Sequence, residues 1–167
     1  IKNESFRQRT VDRLKQNDGD IVIFDVKGSA VHFDADNLPI ADKLGLHKPQ
    51  YELQEVLDFL KANNVRAIAR FIAIKDQSLA KVRPDTQLEN PRTGSVLSPG
   101  YVDPSDPLVL DYNAEVICAL ASAGVEEINL DYIRYRTEAA GSLSVFTKDE
   151  KVDKFLAFAK SAREAID

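Results

Sequence analysis

The 167-residue chain has no tryptophan and no methionine, which is unusual at this length, and it has one cysteine and two histidines. A single cysteine cannot form an internal disulfide, so the redox compartment stays open. Cys118 falls among Val116, Ile117 and Leu120 in an apolar helical pattern, where an inert buried thiol is expected. His32 and His47 lie far apart with no cysteine or carboxylate at metal-ligand spacing, which argues against zinc. Cations are also in short supply: 22 Lys and Arg face 27 Asp and Glu, for a net charge of -5 and a pI near 5.1. They are scattered, so nucleic-acid binding through a basic face is not expected. No apolar run has transmembrane length, and no signal or lipidation motif is present. Ile1 is not a natural start, so the missing leader carries little weight.

Signature motifs are missing as well. No glycine-rich phosphate loop follows a strand-like run; Gly94-Ser95 and Gly141-Ser142 stand alone. There is no Gly-x-Ser-x-Gly elbow, and neither histidine sits near a plausible serine nucleophile. Nucleotide, metal and serine-hydrolase chemistries all fit poorly, and no cofactor is expected.

What is present suits one α/β domain with a real core: 44% hydrophobic and 29% charged residues. Ser5 can cap a helix running to about Lys15, and Gly19-Asp20 turns the chain into the apolar run Ile21–Val26. Such a continuous run predicts a strand covered on both faces. After a polar loop, Pro49 opens a helix with Leu53, Val56, Leu57 and Leu60 on one stripe, stopped by Asn63-Asn64. A second strand follows over Val65 to Ile74. Residues 77–107 carry five of the seven prolines with little periodicity, and their aromatic and charged content predicts an ordered, site-forming loop. A helix from Pro107 to Ala123-Gly124 then leads into a third strand, Glu127–Tyr132. A last helix starts at Asp149, with Val152, Phe155, Leu156, Ala159 and Ile166 on one stripe.

Helices alternating with strands imply an α/β fold whose right-handed crossovers make the strands parallel. Helices at both ends suggest a strand before residue 1 and another after residue 167. A complete (β/α)₈ barrel takes roughly 250 residues, so residues 1–167 are expected to be a single (β/α) domain of TIM-barrel type, an incomplete barrel, or else a small open sheet. Open sheet edges make self-association an expectation.

Each strand ends in charge. The first delivers Asp25 and Lys27 followed by Gly28, the second Arg70 within an apolar run and then Lys75 and Asp76, the third Asp131 and Arg134. Ligands bind at the carboxyl ends of parallel strands. A mid-strand arginine is rarely buried without a partner. The plain alternative is a ring of ion pairs, Asp131 with Arg134 among them, that only closes off the strands. Carboxylates with cations and aromatics such as Tyr101, Tyr132 and Tyr135 suit sugars: tyrosines offer flat faces to pyranose rings, and carboxylates supply the nucleophile and the proton of glycoside cleavage.

Six blocks occur in a fixed order: Ile23-Phe24-Asp25-Val26-Lys27; Arg70 with Ile74-Lys75-Asp76 and Leu79-Ala80; Arg83-Pro84; Tyr101-Val102-Asp103-Pro104; Asp111-Tyr112-Asn113; and Asn129 to Tyr135. Together they resemble a glycoside hydrolase domain of bacterial envelope proteins once catalogued as a domain of unknown function, over about residues 20 to 166. The resemblance implies a TIM barrel related to the α-amylase-like hydrolases, of which this chain holds strands near the N-terminal half. It implies that Asp131, ending what would be strand four, matches the nucleophile position. Asp25, Lys27, Arg70, Lys75, Asp76 and Arg134 match other rim positions, and the general acid is expected on the next strand, beyond Asp167. The sequence departs from the family at Gly28, often acidic there, at Arg136, often proline, and at Tyr101, commonly tryptophan.

The expectation is therefore a glycoside hydrolase acting on a polysaccharide through a carboxylate pair. Asp131 and Asp25 are the catalytic candidates, and Lys27, Arg70, Lys75, Asp76, Tyr101 and Arg134 the substrate-binding candidates. The alternative is a non-catalytic polysaccharide-binding or scaffolding barrel. Carbohydrate is the expected partner, with no nucleic acid and no membrane segment in this chain. The resemblance also implies a cell-envelope or extracellular location.

Overall fold

The computed structural model describes residues 3–135 and 142–166, so Arg136 and Gly141 lie outside the described residues. One sheet holds β1 (Ile21–Lys27), β2 (Val31–Asp34), β3 (His47–Glu52), β4 (Arg66–Ile72) and β5 (Ile128–Asp131), in the spatial order β3-β2-β1-β4-β5. The three strands expected from the sequence, β1, β4 and β5, are adjacent and parallel in that order. Their crossovers run through α3 (Leu53–Ala62) and α5 (Pro107–Ser122), as parallel pairing requires. The remaining helices are α1 (Glu4–Lys15), α2 (Pro39–Lys43), α4 (Gln77–Val82) and α6 (Lys148–Glu164). Among the described residues, no helix is long and apolar enough to cross a membrane.

The helices that feed the parallel strands stop in the same way. Asp18 (φ 54°), Asn64 (φ 52°) and Gly124 (φ 87°) take the left-handed conformation just past α1, α3 and α5. The next N–H in each case reaches back into the last turn: Gly19 to Leu14 O at 3.0 Å, Val65 to Leu60 O at 2.9 Å, Val125 to Leu120 O at 3.1 Å. Asp, Asn and Gly tolerate that conformation best, so the chain reverses where these residues occur. The N-termini differ slightly from expectation. Asn3, not Ser5, caps α1 by accepting the Phe6 N–H, and Thr147 with Glu150 forms a capping box that starts α6 at Lys148, one residue before the expected Asp149.

Residues 28–52 depart from the expected loop. They form β2, which meets β1 antiparallel at Lys27–Val31, and β3, which runs parallel to β2. Pro49 lies inside β3 rather than opening α3, and this is tolerated because β3 is the edge of the sheet, where a missing ladder N–H costs little. The segment after β4 is ordered: α4, a 3₁₀ turn over Pro84–Thr86, and two bridges, Gln87–Val102 and Glu89–Val96.

The main core lies on one face of the sheet, although Ile68 on the other face is also buried. Val22, Phe24 and Val26 of β1 and Ala69 and Phe71 of β4 pack with Val56 and Leu60 of α3 and Val116, Ile117 and Leu120 of α5. On the other face Ile21 is 37% exposed and Ile23 58%, so the continuous apolar run in β1 is covered on one side, not both. Cys118 is likewise exposed. One step past Ile117 turns it about 100° away from the buried stripe of α5.

This asymmetry predicts unequal mutational costs. Leu60→Ala should lower unfolding free energy by about 2–5 kcal/mol in a urea titration, whereas Ile23→Ala in the 167-residue chain should stay within about 0.5 kcal/mol. A large loss at Ile23 would mean that another segment or a second copy covers the open face.

Candidate functional site

Alternation along parallel strands places Asp25, Arg70, Asn129 and Asp131 on the uncovered face. Asp25 is the register partner of Arg70, Arg70 of Asn129, and Ile72 of Asp131. The Arg70 guanidinium lies between the two carboxylates. Its Nη1 donates to Asp25 Oδ1 at 2.7 Å, while Nη2 and Nε both donate to Asp131 Oδ2, at 2.6 and 2.9 Å. Asp131 Oδ1 accepts the N–H of Tyr132 at 2.7 Å. The bonds from Arg70, then that backbone bond, hold the Asp131 carboxyl below its ordinary pKa, with the field of Arg134 a smaller contribution. Arg70 is correspondingly held protonated, by its bonds to Asp25 first and to Asp131 second. The Asp131–Arg134 pair of the plain alternative is not what closes the strand: Asp131 is ion-paired with Arg70, from the neighbouring strand.

Tyr132 has φ 54°, a conformation that costs an L-residue about 1 kcal/mol or more. The turn sets its ring beside two cations, with Lys75 Nζ 4.5 Å and the Arg134 guanidinium carbon 5.6 Å from the ring centroid. Lys75, Tyr132 and Arg134 thus form a second group at the carboxyl end of β5, joined to the first through the Asp131–Tyr132 peptide.

Lys27 and Asp76 belong to neither group. A register shift in β1 between Asp25 and Lys27 breaks the alternation, so Val26 and Lys27 are both fully buried. Lys27 Nζ donates to Asp76 Oδ2 at 2.9 Å and to Ile72 O at 3.0 Å, and lies near the rings of Phe71 and Tyr112. Asp76 Oδ1 accepts the Leu79 N–H and caps α4. The expected convergence of all strand-end charges on one rim is therefore corrected: Asp25, Arg70 and Asp131 meet, Lys75 and Arg134 lie beside them, and Lys27 with Asp76 forms an internal clamp. Tyr101 also departs from expectation. Its ring is packed into the main core at 8% exposure and presents no open face to a sugar.

Two residues of the site were not anticipated. Asn129 is exposed beside Arg70, and its place two residues before Asp131 could have revealed it. Tyr51 Oη donates to the backbone carbonyl of Asp25 at 2.7 Å, from a strand the sequence pattern did not disclose. No cluster of metal-ligating side chains occurs among the described residues.

Parallel strands with helices on one face and paired charges at their carboxyl ends define a TIM-barrel-type α/β module, here with an open rather than closed sheet. The chain belongs to the family described as "Putative glycosyl hydrolase domain", which matches residues 1–167. Among solved structures it is similar to a hypothetical protein of Ruminiclostridium thermocellum (24% identity, TM-score 0.78), covering 98% of this chain and 87% of that one. It is also similar to the tandem catalytic modules of the pneumococcal exo-β-D-N-acetylglucosaminidase (14%, TM-score 0.69; 96% and 48% covered). A third is an α-galactosidase from Thermus thermophilus (17%, TM-score 0.63; 97% and 33% covered). The chain thus spans about half of the pneumococcal chain and a third of the Thermus one. At these identities the likeness establishes the fold. No curated protein matches the sequence.

Two measurements check the geometry. A ¹³C NMR titration should place the Asp131 carboxyl below about 3.9 and move it upward in Arg70→Met. Because the folded value is the lower one, the pair's stabilisation is complete above the unfolded pKa and disappears as pH falls through the folded value. Lys27→Met should cost about 3–5 kcal/mol by stranding the buried Asp76 carboxylate. Combining it with Asp76→Asn, whose amide oxygen can still accept from Leu79, should restore most of that loss in urea unfolding.

Proposed function

We propose that this chain carries the nucleophile side of a glycoside hydrolase site that cleaves a polysaccharide in the cell envelope or outside the cell. The observation that carries the reading is the Asp25–Arg70–Asp131 triad on the open face, at the carboxyl ends of parallel strands. Asp131, held ionised by Arg70, is suited to attack an anomeric carbon or to balance oxocarbenium charge, and unsuited to donate a proton. Arg70 is anchored on its far side by Asp25, the second carboxylate of the site, so the attacking group is held in one orientation. Tyr132, with Lys75 and Arg134 around it, takes the sugar-contacting role first expected of Tyr101. The proton donor belongs to a strand pairing with the open edge of β5, in a larger (β/α)₈ barrel of which these residues are a part. The family membership and the partial coverage of the two glycosidases support this reading.

In the full-length protein, Asp131→Asn should reduce glycosidase activity at least roughly 100-fold, with the thermal melt little changed, because Arg70 keeps Asp25 and the amide keeps the carboxylate's shape. A lowered melt with activity intact would assign the triad a purely structural role. A polysaccharide bound but never cleaved by the unmodified protein would give the domain to the scaffolding alternative.

A further inference from the structure

Several cations near the strand ends and their loops have acidic partners: Arg70 has Asp25 and Asp131, Lys27 has Asp76, and Lys154 has Asp103 at 2.6 Å. Lys75 is different. It is half-buried at the mouth of the site, and its contact among the described residues is the Tyr132 ring, 4.5 Å from Nζ, with no carboxylate in ion-pair range. Its backbone is held on both sides, since Ile74 is fully buried and Asp76 is 1% exposed, paired with Lys27 and capping α4. A lysine on a flexible solvated surface stem needs no explanation. An ammonium on a fixed base, against an aromatic face and with no carboxylate in ion-pair range among the described residues, is placed to bond an incoming anion. Arg70 is the poorer anchor for an incoming anion, because its charge is already met by the two carboxylates it bonds.

We infer that Lys75 is an anion anchor and that the glycan taken by this site carries a negatively charged substituent on the ring beside the Asp131–Tyr132 turn. The inference rests on the glycoside hydrolase reading for its ligand being a sugar. The charge is either the carboxylate of a uronic acid or a phosphate ester. Either would bond the Lys75 ammonium while the sugar ring occupies the open face next to Asp131. The two aspartates disfavour an anion placed directly on the triad, so the substituent sits on the Lys75 side of Tyr132.

The test uses the full-length protein and an array of oligouronates of several linkages. Each stands beside its carboxyl-reduced neutral form and the 6-phosphate ester of that form, with affinities of the best binders taken by calorimetry. An acidic form should bind about 10- to 100-fold more tightly than its neutral counterpart, the range of one charge-assisted hydrogen bond. That ratio should fall close to one in Lys75→Met and persist in Lys75→Arg, with melts confirming that both variants fold. Whether the carboxylate or the phosphate form binds more tightly assigns the source of the charge. Equal binding of acidic and neutral forms, a preference that survives Lys75→Met, or binding to no acidic member overturns the inference. Cleavage of a neutral glycan without acidic preference would overturn it while leaving the hydrolase reading in place. Acidic preference without cleavage of any member would do the reverse.

Discussion

The guanidinium of Arg70 is the group on which the site depends. It sits in the middle of the central parallel strand, on the face no helix covers, with one carboxylate-bearing strand on each side. Asp25 and Asp131 project from that same face, and without a cation between them they would repel across the sheet. A planar fork can satisfy both at once, which a lysine ammonium could do only as a point charge. The arrangement also needs the strands to be parallel and in the observed register, because a shift of one residue would turn Arg70 into the core.

A second ion pair does a different job. Lys27 and Asp76 are removed from solvent altogether and tie the end of β1 to the end of β4 and the start of α4. Such a pair adds little net stability compared with apolar packing, but breaking it is expensive, so it fixes where the strand ends lie. Next to it, Ala73 N–H donates to Asp131 O at 2.8 Å, so the backbone carrying the site carboxylate hangs on the same strand end that the clamp holds. One pair is internal and removed from solvent; the other is partly exposed on the uncovered face.

The left-handed turn at Tyr132 adds a third element. Backbone strain at a residue directly after a paired carboxylate is stored where a site needs a fixed direction, and here it is offset by the Asp131–Tyr132 hydrogen bond. The same turn carries an aromatic ring to Lys75 and Arg134 and so builds the cationic shoulder of the site. The open face above these groups, with Ile21 and Ile23 uncovered, is the kind of surface that further barrel strands or another copy would close.

Much of this was legible in the residues themselves. The turn signals Gly19-Asp20, Asn63-Asn64 and Ala123-Gly124 mark the entries to the parallel strands, although before β1 the left-handed residue is Asp18 rather than the glycine. The apolar stripes of α3 and α5 imply right-handed crossovers and therefore parallel pairing. A lone arginine inside the second strand points to a carboxylate partner for the simple reason that an unpaired one would cost too much. Local sequence could not say which carboxylates, since that follows from register between strands separated by tens of residues. Nor could it foresee that a bulge would turn Lys27 inward, that Tyr101 would be drawn into the core, or that Cys118 would face out. The strands at Val31–Asp34 and His47–Glu52 were equally hidden, because each is short and stabilised by pairing with distant chain rather than by its own pattern. Periodicity and end signals are local and determine the elements; burial and partnership depend on tertiary contacts, and those decided which of the strand-end charges meet on the open face.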